Sequence, residues 1–344
     1  MKNVENLINP PSSDSKEFSS LVASSMQGLK QYYLLVSAWE LGIFEHTVSP
    51  LTYQELAQQM GSHEIMTKLF CEALAEIEML TKKDDKYSNS PLASNYLVPS
   101  SYLYKTKTLE MLEKNAKRWA KLSKIIKEGP IERKRTAMFG GGRVIRIAES
   151  GEAGSVFNVI DVAKKHLDIQ RWRKIIDVGG GHGLYAIAFS ALNPELEAFV
   201  FDQPHVTPIT TQYIDNYNAK KVHVISGDYN KDSIGKGYDA IFSSFNQTCS
   251  DPKFIPIFFE ALNLSGDLIL RRHKEKTHVD PLQTLDWNLV HFEGRKLGVN
   301  PHYSGKFIRK ADYIKRLEEA GFSVHANVPV DEGSELIFAR KPLP

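Results

Sequence analysis

IIDVGGGHGLYAIA, residues 175–188, decides how the second half of this chain folds. An apolar run carries an acid, Asp177, near its end, and Gly179, Gly181 and Gly183 then stand at alternate positions before a helical stretch begins. Glycine reaches backbone conformations closed to other residues and lacks the side chain that would hold a ligand away from the main chain. The pattern reads as a strand, a ligand-facing turn and a helix. Because Gly181, Gly183 and Ala186 also satisfy G-x-G-x-x-A, the turn by itself is compatible with a dinucleotide. Asp177 separates the two readings: a carboxylate at the strand end repels a pyrophosphate and attracts a ligand bearing ammonium and sulfonium charges.

Working outward, short apolar runs recur in ELEAFVFD (195–202), KVHVISGD (221–228), YDAIFSSF (238–245) and GDLILRRH (266–273). With KIIDV counted first, helical stretches follow the first, second and fourth of these strands. That alternation predicts a mainly parallel sheet with covering helices. At the end of the chain, GFSVHANVPV (321–330) and SELIFARKP (334–342) are joined only by the turn DEGS (331–334). Such a link is too short for a parallel crossover, so these two strands must pair antiparallel. The expected fold class is α/β, a Rossmann-like seven-stranded domain with a C-terminal antiparallel hairpin, which differs from the fully parallel dinucleotide fold. Asp202 ends the second strand 25 residues after Asp177, where it can accept from both hydroxyls of a ribose. Asp228 ends the third strand, where it can accept from an adenine amino group while Tyr229 packs on the ring. All three acids fall on the carboxyl edge of one sheet.

The front of the chain has a different period. Residues 16–80 carry helical patterning, with Thr52 and Glu55 at capping-box spacing. LTKKDDKYSNSPLASNYL (80–97) then reads as two short strands about a turn. Helices followed by a β-wing make a winged-helix-like module. DNA binding is disfavoured, since residues 63–80 hold Glu64, Glu72, Glu76 and Glu78 against Lys68, the wrong sign for phosphates. A dimerisation role fits better. The expected organisation is a helical winged-helix-like dimerisation domain over 1–105, a helical linker and pocket-lining region over 106–165, and an α/β ligand-binding domain over 166–344.

At 42% hydrophobic and 24% charged, the 344 residues have an ordinary globular composition. No run of about 18 apolar residues suggests a membrane span, and the start lacks a secretory pattern. Cys71 and Cys249 form neither a disulfide framework nor a metal pair, so a cytoplasmic protein without bound metal is expected. Residues 105–135 hold eleven Lys/Arg against four Glu, making that segment about +7 and the remainder about −5. Leu109, Leu112, Trp119, Leu122 and Ile126 recur at helical spacing there, which reads as a solvated helix face, with an anion-attracting patch as the alternative. FGGGR (139–143) reads as a mobile loop, with closure over the site as the alternative.

The stretches DVGGGHG, FVFDQPHV (199–206), SGDYN (226–230) and AGF (320–322) resemble those of the class I S-adenosylmethionine-dependent small-molecule O-methyltransferases of the caffeate, hydroxyneurosporene and acetylserotonin type. SAWELGIF (37–44), LTYQELAQQMG (51–61) and NSPLASNYL (89–97) resemble that family's dimerisation domain. The resemblance implies S-adenosylmethionine as cofactor, a small-molecule acceptor, and a homodimer formed through the N-terminal domain, with no nucleic acid and no membrane partner. It places Gly179, Gly181 and Gly183 around the methionine part of the cofactor, Asp202 on the ribose, Asp228 and Tyr229 at the adenine, and Ser243 or Ser244 at one further cofactor contact. Asp286, Trp287, Asn288 and His291 become candidates for acceptor contacts.

One segment departs from the family. After its fourth strand the family carries Leu-His-Asp-Trp-x-Asp, whose His takes the proton from the acceptor hydroxyl, whereas this chain has FNQTCSD (245–251), with Gln247 or Thr248 at the His position. A positioned base is worth roughly 10²- to 10⁴-fold in rate. Three explanations stay open. His273, at the end of LILRRH, takes over as base, with His291 in the acceptor pocket. Alternatively the acceptor is a thiol, carboxylate or carbon that needs alignment rather than a base, oriented by Asn246 and Gln247. In the third case the fold has abandoned methyl transfer, as a hydroxylase-like or cofactor-sensing relative. Cys249, with no His near it in sequence, is not read as a nucleophile. Oxygen methylation is the default expectation.

Overall fold

The structure, a computed structural model, describes residues 15–134, 140–275, 280–298 and 308–343, together with Val4 and Ile8. The chain forms two compact units, Met1–Leu109 and Glu110–Pro344.

In the first unit, α1 (Ser15–Glu40) and α2 (Ile43–His46) lead to β1 (Leu51–Thr52), α3 (Tyr53–Met60) and α4 (Glu64–Glu76). The wing β2 (Leu80–Lys83) and β3 (Lys86–Asn89) precedes α5 (Pro91–Tyr96), and the three strands pair in the order β1-β3-β2. The capping box at α3 closes: the Thr52 amide donates to Glu55 Oε2 at 2.7 Å and the Glu55 amide donates to Thr52 Oγ1 at 3.3 Å. Ala38, Phe44, Leu56, Cys71, Leu74, Tyr87 and Leu97 make its core. Along α1, by contrast, Phe18, Leu21, Met26, Leu29 and Tyr33 stay exposed, an apolar face of the kind that marks an association surface.

α6 (Thr106–Trp119) carries the chain into the second unit, followed by α7 (Leu122–Glu128) and β4 (Ile131–Arg133). The FGGGR stretch is not a loop over its described part. Gly141 and Gly142 open α8 (Gly141–Ser150), and Phe139 lies outside the described residues. The glycine signal is overridden because Val144 and Ala148, one turn apart, bury one face of the helix. A π-helical turn at Gly151–Ser155 then joins α8 to α9 (Val156–His166).

The sheet follows: β5 (Lys174–Val178), α10 (Leu184–Leu192), β6 (Glu197–Asp202), α11 (Thr207–Asn216), β7 (Val222–Ser226), β8 (Tyr238–Ser244), α12 (Ile255–Ala261) and β9 (Leu262–His273). After it come α13 (Pro281–Asn288), β10 (Val290–Phe292), α14 (Lys310–Glu319), β11 (Ser323–Pro329) and β12 (Ser334–Arg340). The seven strands run β11-β12-β9-β8-β5-β6-β7, parallel from β9 to β7, with β12 antiparallel to both β9 and β11. The hairpin expected from DEGS is therefore present. Successive residues of a strand face opposite ways, so Ile175 and Phe242 join one core with Phe189 and Trp172 while Ile176 and Ile241 join the other with Phe254 and Phe258. A sheet buried on both faces leaves its strand ends as the place for chemistry. Among the described residues no helix is long and apolar enough to cross a membrane, and no three His, Cys, Asp or Glu side chains cluster as metal ligands.

Candidate active site

The chain winds outward from β5 through β6 to β7, then returns to start β8 on the other side of β5. That reversal opens a crevice at the carboxyl ends of β5 and β8, the usual ligand position in open α/β sheets. The glycine turn lines it from β5. Gly179, Gly181 and Gly183 have φ of 72°, 57° and 77°, all in the left-handed region that favours glycine. A Cβ at Gly181 would meet nothing nearer than Val144 Cγ1 at 4.0 Å, so this turn presents bare backbone to the space before it. Gly180 is needed for a different reason, since a Cβ there would lie 2.6 Å from the Asp177 carboxyl.

Asp177 is 2% exposed, and among the described residues neither of its carboxylate oxygens has a hydrogen-bond partner. Burial raises its pKa well above the usual carboxylate range, and the nearby Asp202 adds to the rise. Asp202 is better served: its Oδ2 accepts from the Gly181 amide at 2.8 Å and its Oδ1 from the Gln203 amide at 2.7 Å. Asp228, just past β7, accepts from the Asn230 amide at 3.0 Å, and Tyr229 meets Phe254 edge-on at 5.4 Å between ring centroids. Ser243, buried in β8, shares a hydrogen bond with Thr248 Oγ1 at 2.7 Å, while Ser244, half-buried, ends that strand. His182 lies inside the glycine turn and carries a role the sequence reading missed. Its Nδ1 accepts from the Leu184 amide at 3.1 Å, and burial lowers its pKa to about 4, so it is a neutral cap at the start of α10.

The segment after β8 turns most of its polar groups inward. Asn246 Nδ2 donates to the Val178 carbonyl at 2.7 Å and its Oδ1 accepts from the Thr248 amide at 2.8 Å, fastening the end of β8 to the glycine turn. Gln247 Nε2 donates to Asp251 Oδ2 at 3.0 Å, and Thr248 is buried. Cys249 is also buried; its Sγ donates to the Asn246 carbonyl at 3.1 Å and burial pushes the thiol pKa up. Phe245 is the exception, 43% exposed with φ of 52°, unusual for a bulky residue and a form of strain associated with functional sites. His273, exposed at the end of β9, stacks on it with ring centroids 4.1 Å apart and planes at 20°.

Arg271 lies 4.5 Å from the same phenyl ring and is 3% exposed. Its guanidinium donates to Asp331 Oδ2 at 2.8 Å, Tyr185 Oη at 2.5 Å and Ser155 Oγ at 3.1 Å. The signal for this residue was an arginine inside a strand otherwise apolar enough to be buried.

The remaining candidates lie together on α13 and β10. Asp286 Oδ1 accepts from Trp119 Nε1 at 2.6 Å, clasping α13 to α6. Asn288 Nδ2 donates to the Thr284 carbonyl at 2.7 Å, and its Oδ1 accepts from the Gly298 amide at 3.0 Å. β10 pairs parallel with β4, which sets His291 beside Glu132 at 2.8 Å with its other nitrogen 2.7 Å from the Arg295 carbonyl. That carbonyl, then Glu132, raises the His291 pKa. Trp287 carries the Arg295 guanidinium on its face, 4.3 Å from the ring centroid.

Comparison with known proteins agrees with this arrangement. A family model describing an O-methyltransferase domain matches residues 155–323, and one describing an O-methyltransferase dimerisation domain matches residues 24–99. An uncharacterised protein of Methanocaldococcus jannaschii is 31% identical over 334 residues, covering 95% of this chain and 90% of the relative. The N,N-dimethyltransferase OxyT of Streptomyces rimosus is 27% identical over 330 residues, covering 90% of this chain and 92% of its own. Among solved structures, human N-acetylserotonin methyltransferase in complex with SAM shares the fold at a TM-score of 0.69 and 20% identity, covering 97% of this chain and all (100%) of that one. The glycine turn, the acids at three strand ends and both family matches lead to one conclusion: the chain belongs to the S-adenosylmethionine-dependent O-methyltransferase family, with a dimerisation domain followed by a methyltransferase domain.

Proposed function

We propose that this methyltransferase acts on an oxygen of a small-molecule acceptor and that His273 takes the acceptor's proton. The observation that supports this most is the Phe245–His273 stack at 4.1 Å. It holds an imidazole on the carboxyl edge of the sheet, one strand away from a segment that brings no base of its own. Proton removal at that point supplies roughly 10²- to 10⁴-fold.

The residues around the glycine turn fit the cofactor. Both oxygens of Asp177 are buried and, among the described residues, unpartnered, which suits a cationic ligand, and Gly181 opens onto space with no atom nearer to a Cβ there than Val144 Cγ1 at 4.0 Å. S-adenosylmethionine supplies an electrophilic methyl group. On this reading Gly179, Gly181 and Gly183 admit the methionine part, with Asp177 answering its positive charge. Asp202 accepts from the ribose hydroxyls, Asp228 and Tyr229 flank the adenine, and Ser243 or Ser244 adds a contact from β8. Asn246 holds the turn in shape, Gln247 borders the acceptor, and Trp287 with His291 belongs to the acceptor side.

A second reading is favoured by the inward-facing segment 245–251 and by the likeness to OxyT, which is named as an N,N-dimethyltransferase. In it the acceptor is an amine or carbon that needs no protein base. Incubation with methyl-labelled S-adenosylmethionine and a panel of hydroxyarenes and arylamines separates the two. Label on oxygen is expected; label on nitrogen or carbon selects the second reading, and the absence of any labelled product counts against both. The exposed apolar face of α1 supports a homodimer, and two distant, buried, unpaired cysteines support a cytoplasmic location.

A further inference from the structure

Phe245 occupies a backbone conformation that suits glycine. Its φ of 52° lies in the left-handed region, where a bulky side chain is strained and persists only if its surroundings enforce it. Both flanks do so here. The Phe245 amide donates to the Arg271 carbonyl at 3.1 Å, and the next residue, Asn246, is fastened to the Val178 carbonyl at 2.7 Å and the Thr248 amide at 2.8 Å. The bond to Val178 also sets Phe245 beside the glycine turn, at the mouth of the crevice. Glycine would meet the same φ without steric cost, so the strain is kept for the sake of the ring.

Core packing does not explain that ring, since it is 43% exposed whereas Phe242 and Phe254 are buried. What it touches is the end of β9. Arg271 and His273 are two residues apart in that strand and so face the same way. The Phe245 ring centroid lies 4.5 Å from the Arg271 guanidinium carbon and 4.1 Å from the His273 ring centroid, with the two rings only 20° from parallel. Arg271 is a fixed post, 3% exposed and bound to Ser334, Ser155, Tyr185 and Asp331. Phe245 therefore rests on an immobile guanidinium and offers a flat face to an exposed imidazole.

We propose that Phe245 is a positioning residue for methyl transfer: its strained backbone aims the ring, and the ring, backed by Arg271, holds the His273 imidazole in the orientation that takes the acceptor's proton. An exposed imidazole turns about two side-chain bonds, and a displacement of about 1 Å at a reacting group can cost roughly 10²-fold in rate. The inference rests on His273 being the base and adds the residue through which the fold directs it.

The test reads orientation and rate separately. In the full chain saturated with S-adenosylhomocysteine, the His273 ring protons, identified by their loss in His273→Ala, should resonate upfield of those of free histidine because they lie over a phenyl face. Phe245→Leu makes the same backbone demand without a flat face and should remove that shift; Phe245→Tyr should keep it. In single-turnover methyl transfer to a hydroxyarene, Phe245→Leu should slow the rate roughly ten- to a hundredfold at unchanged S-adenosylhomocysteine affinity, and Phe245→Tyr should recover most of the loss. Phe245→Gly, which relieves the backbone strain and so guards against a folding failure, should be slowed like Phe245→Leu. Added to His273→Ala, Phe245→Leu should cost less than about twofold more, because a positioning residue acts only through the group it aims. A parent chain without the upfield shift, parental rates in Phe245→Leu, or full additivity with His273→Ala overturns the proposal. If His273→Ala is itself slow, any of these sinks this inference alone; an unaltered rate in His273→Ala removes the base reading and this inference with it.

Discussion

Asn246 and Gly179 interlock at the mouth of the crevice: a Cβ at Gly179 would come within 2.4 Å of the same Nδ2 that donates to the Val178 carbonyl at 2.7 Å. The end of β8 thus sets the shape of the turn after β5. Gly179→Ala must move this amide and also occupy a φ of 72°, so it should lower S-adenosylhomocysteine affinity at least about tenfold while the sheet still folds. Asn246→Ala leaves the Thr248 amide without its partner and should cost about 1–3 kcal/mol of stability. Ligand titration and urea unfolding check the two effects separately.

Asp177 predicts a conflict between stability and binding. Its pKa in the folded chain lies well above the ordinary 3.8, so between those two values the folded state holds a proton that the unfolded state has lost. Stability therefore falls as pH rises through that window, and the penalty is fully present above the folded pKa. A cationic ligand favours the ionised form, so S-adenosylmethionine affinity should rise over the same window. Asp177→Asn should raise the melting temperature of the ligand-free protein at neutral pH and weaken S-adenosylmethionine binding at least about tenfold. A variant that loses stability at neutral pH would contradict this account of the buried acid.

His182 gives the opposite slope. Burial lowers its pKa from 6.5 to about 4, so as pH falls across that interval the unfolded chain gains a proton that the folded chain refuses. The stability lost by the acid end is roughly 3 kcal/mol. His182→Asn keeps an acceptor for the Leu184 amide without titrating there, and it should flatten this part of the pH–stability curve. Unfolding midpoints measured from pH 4 to pH 7 in both proteins decide the matter.

Arg271 joins parts of the chain that are distant in sequence, with partners 60, 86 and 116 residues away at Asp331, Tyr185 and Ser155. Removing a buried cation strands these groups. Arg271→Ala should cost about 3–5 kcal/mol, and it should also loosen Phe245, whose ring loses the guanidinium packed 4.5 Å from its centroid. Denaturant unfolding measures the first effect. Reduced turnover at conditions where the variant stays folded would report the second.

How far the sequence carries the reader differs between elements. The sheet and its closing hairpin are legible because apolar runs and the DEGS turn are local signals, and the same holds for the capping box at Thr52 and Glu55. The acids at the strand ends are legible as residues, but their states are not. Only the folded chain makes Asp177 an orphan while Asp202 accepts the Gly181 amide. The glycines at 141 and 142 misled because a helix is stabilised by what it packs against, here through Val144 and Ala148, more than by its first residues. His291 was legible as a residue but its partner was not, since Glu132 is 159 residues away and only the parallel pairing of β4 with β10 brings them together.

The central claim concerns His273 on the face of Phe245. It is tested most directly by single-turnover methyl transfer from labelled S-adenosylmethionine to a hydroxyarene acceptor, comparing the parent chain with His273→Ala. The account predicts a loss of roughly 10²- to 10⁴-fold in the methyl-transfer rate, with S-adenosylhomocysteine affinity unchanged. An unaltered rate in His273→Ala would contradict it and leave the acceptor itself as the source of reactivity.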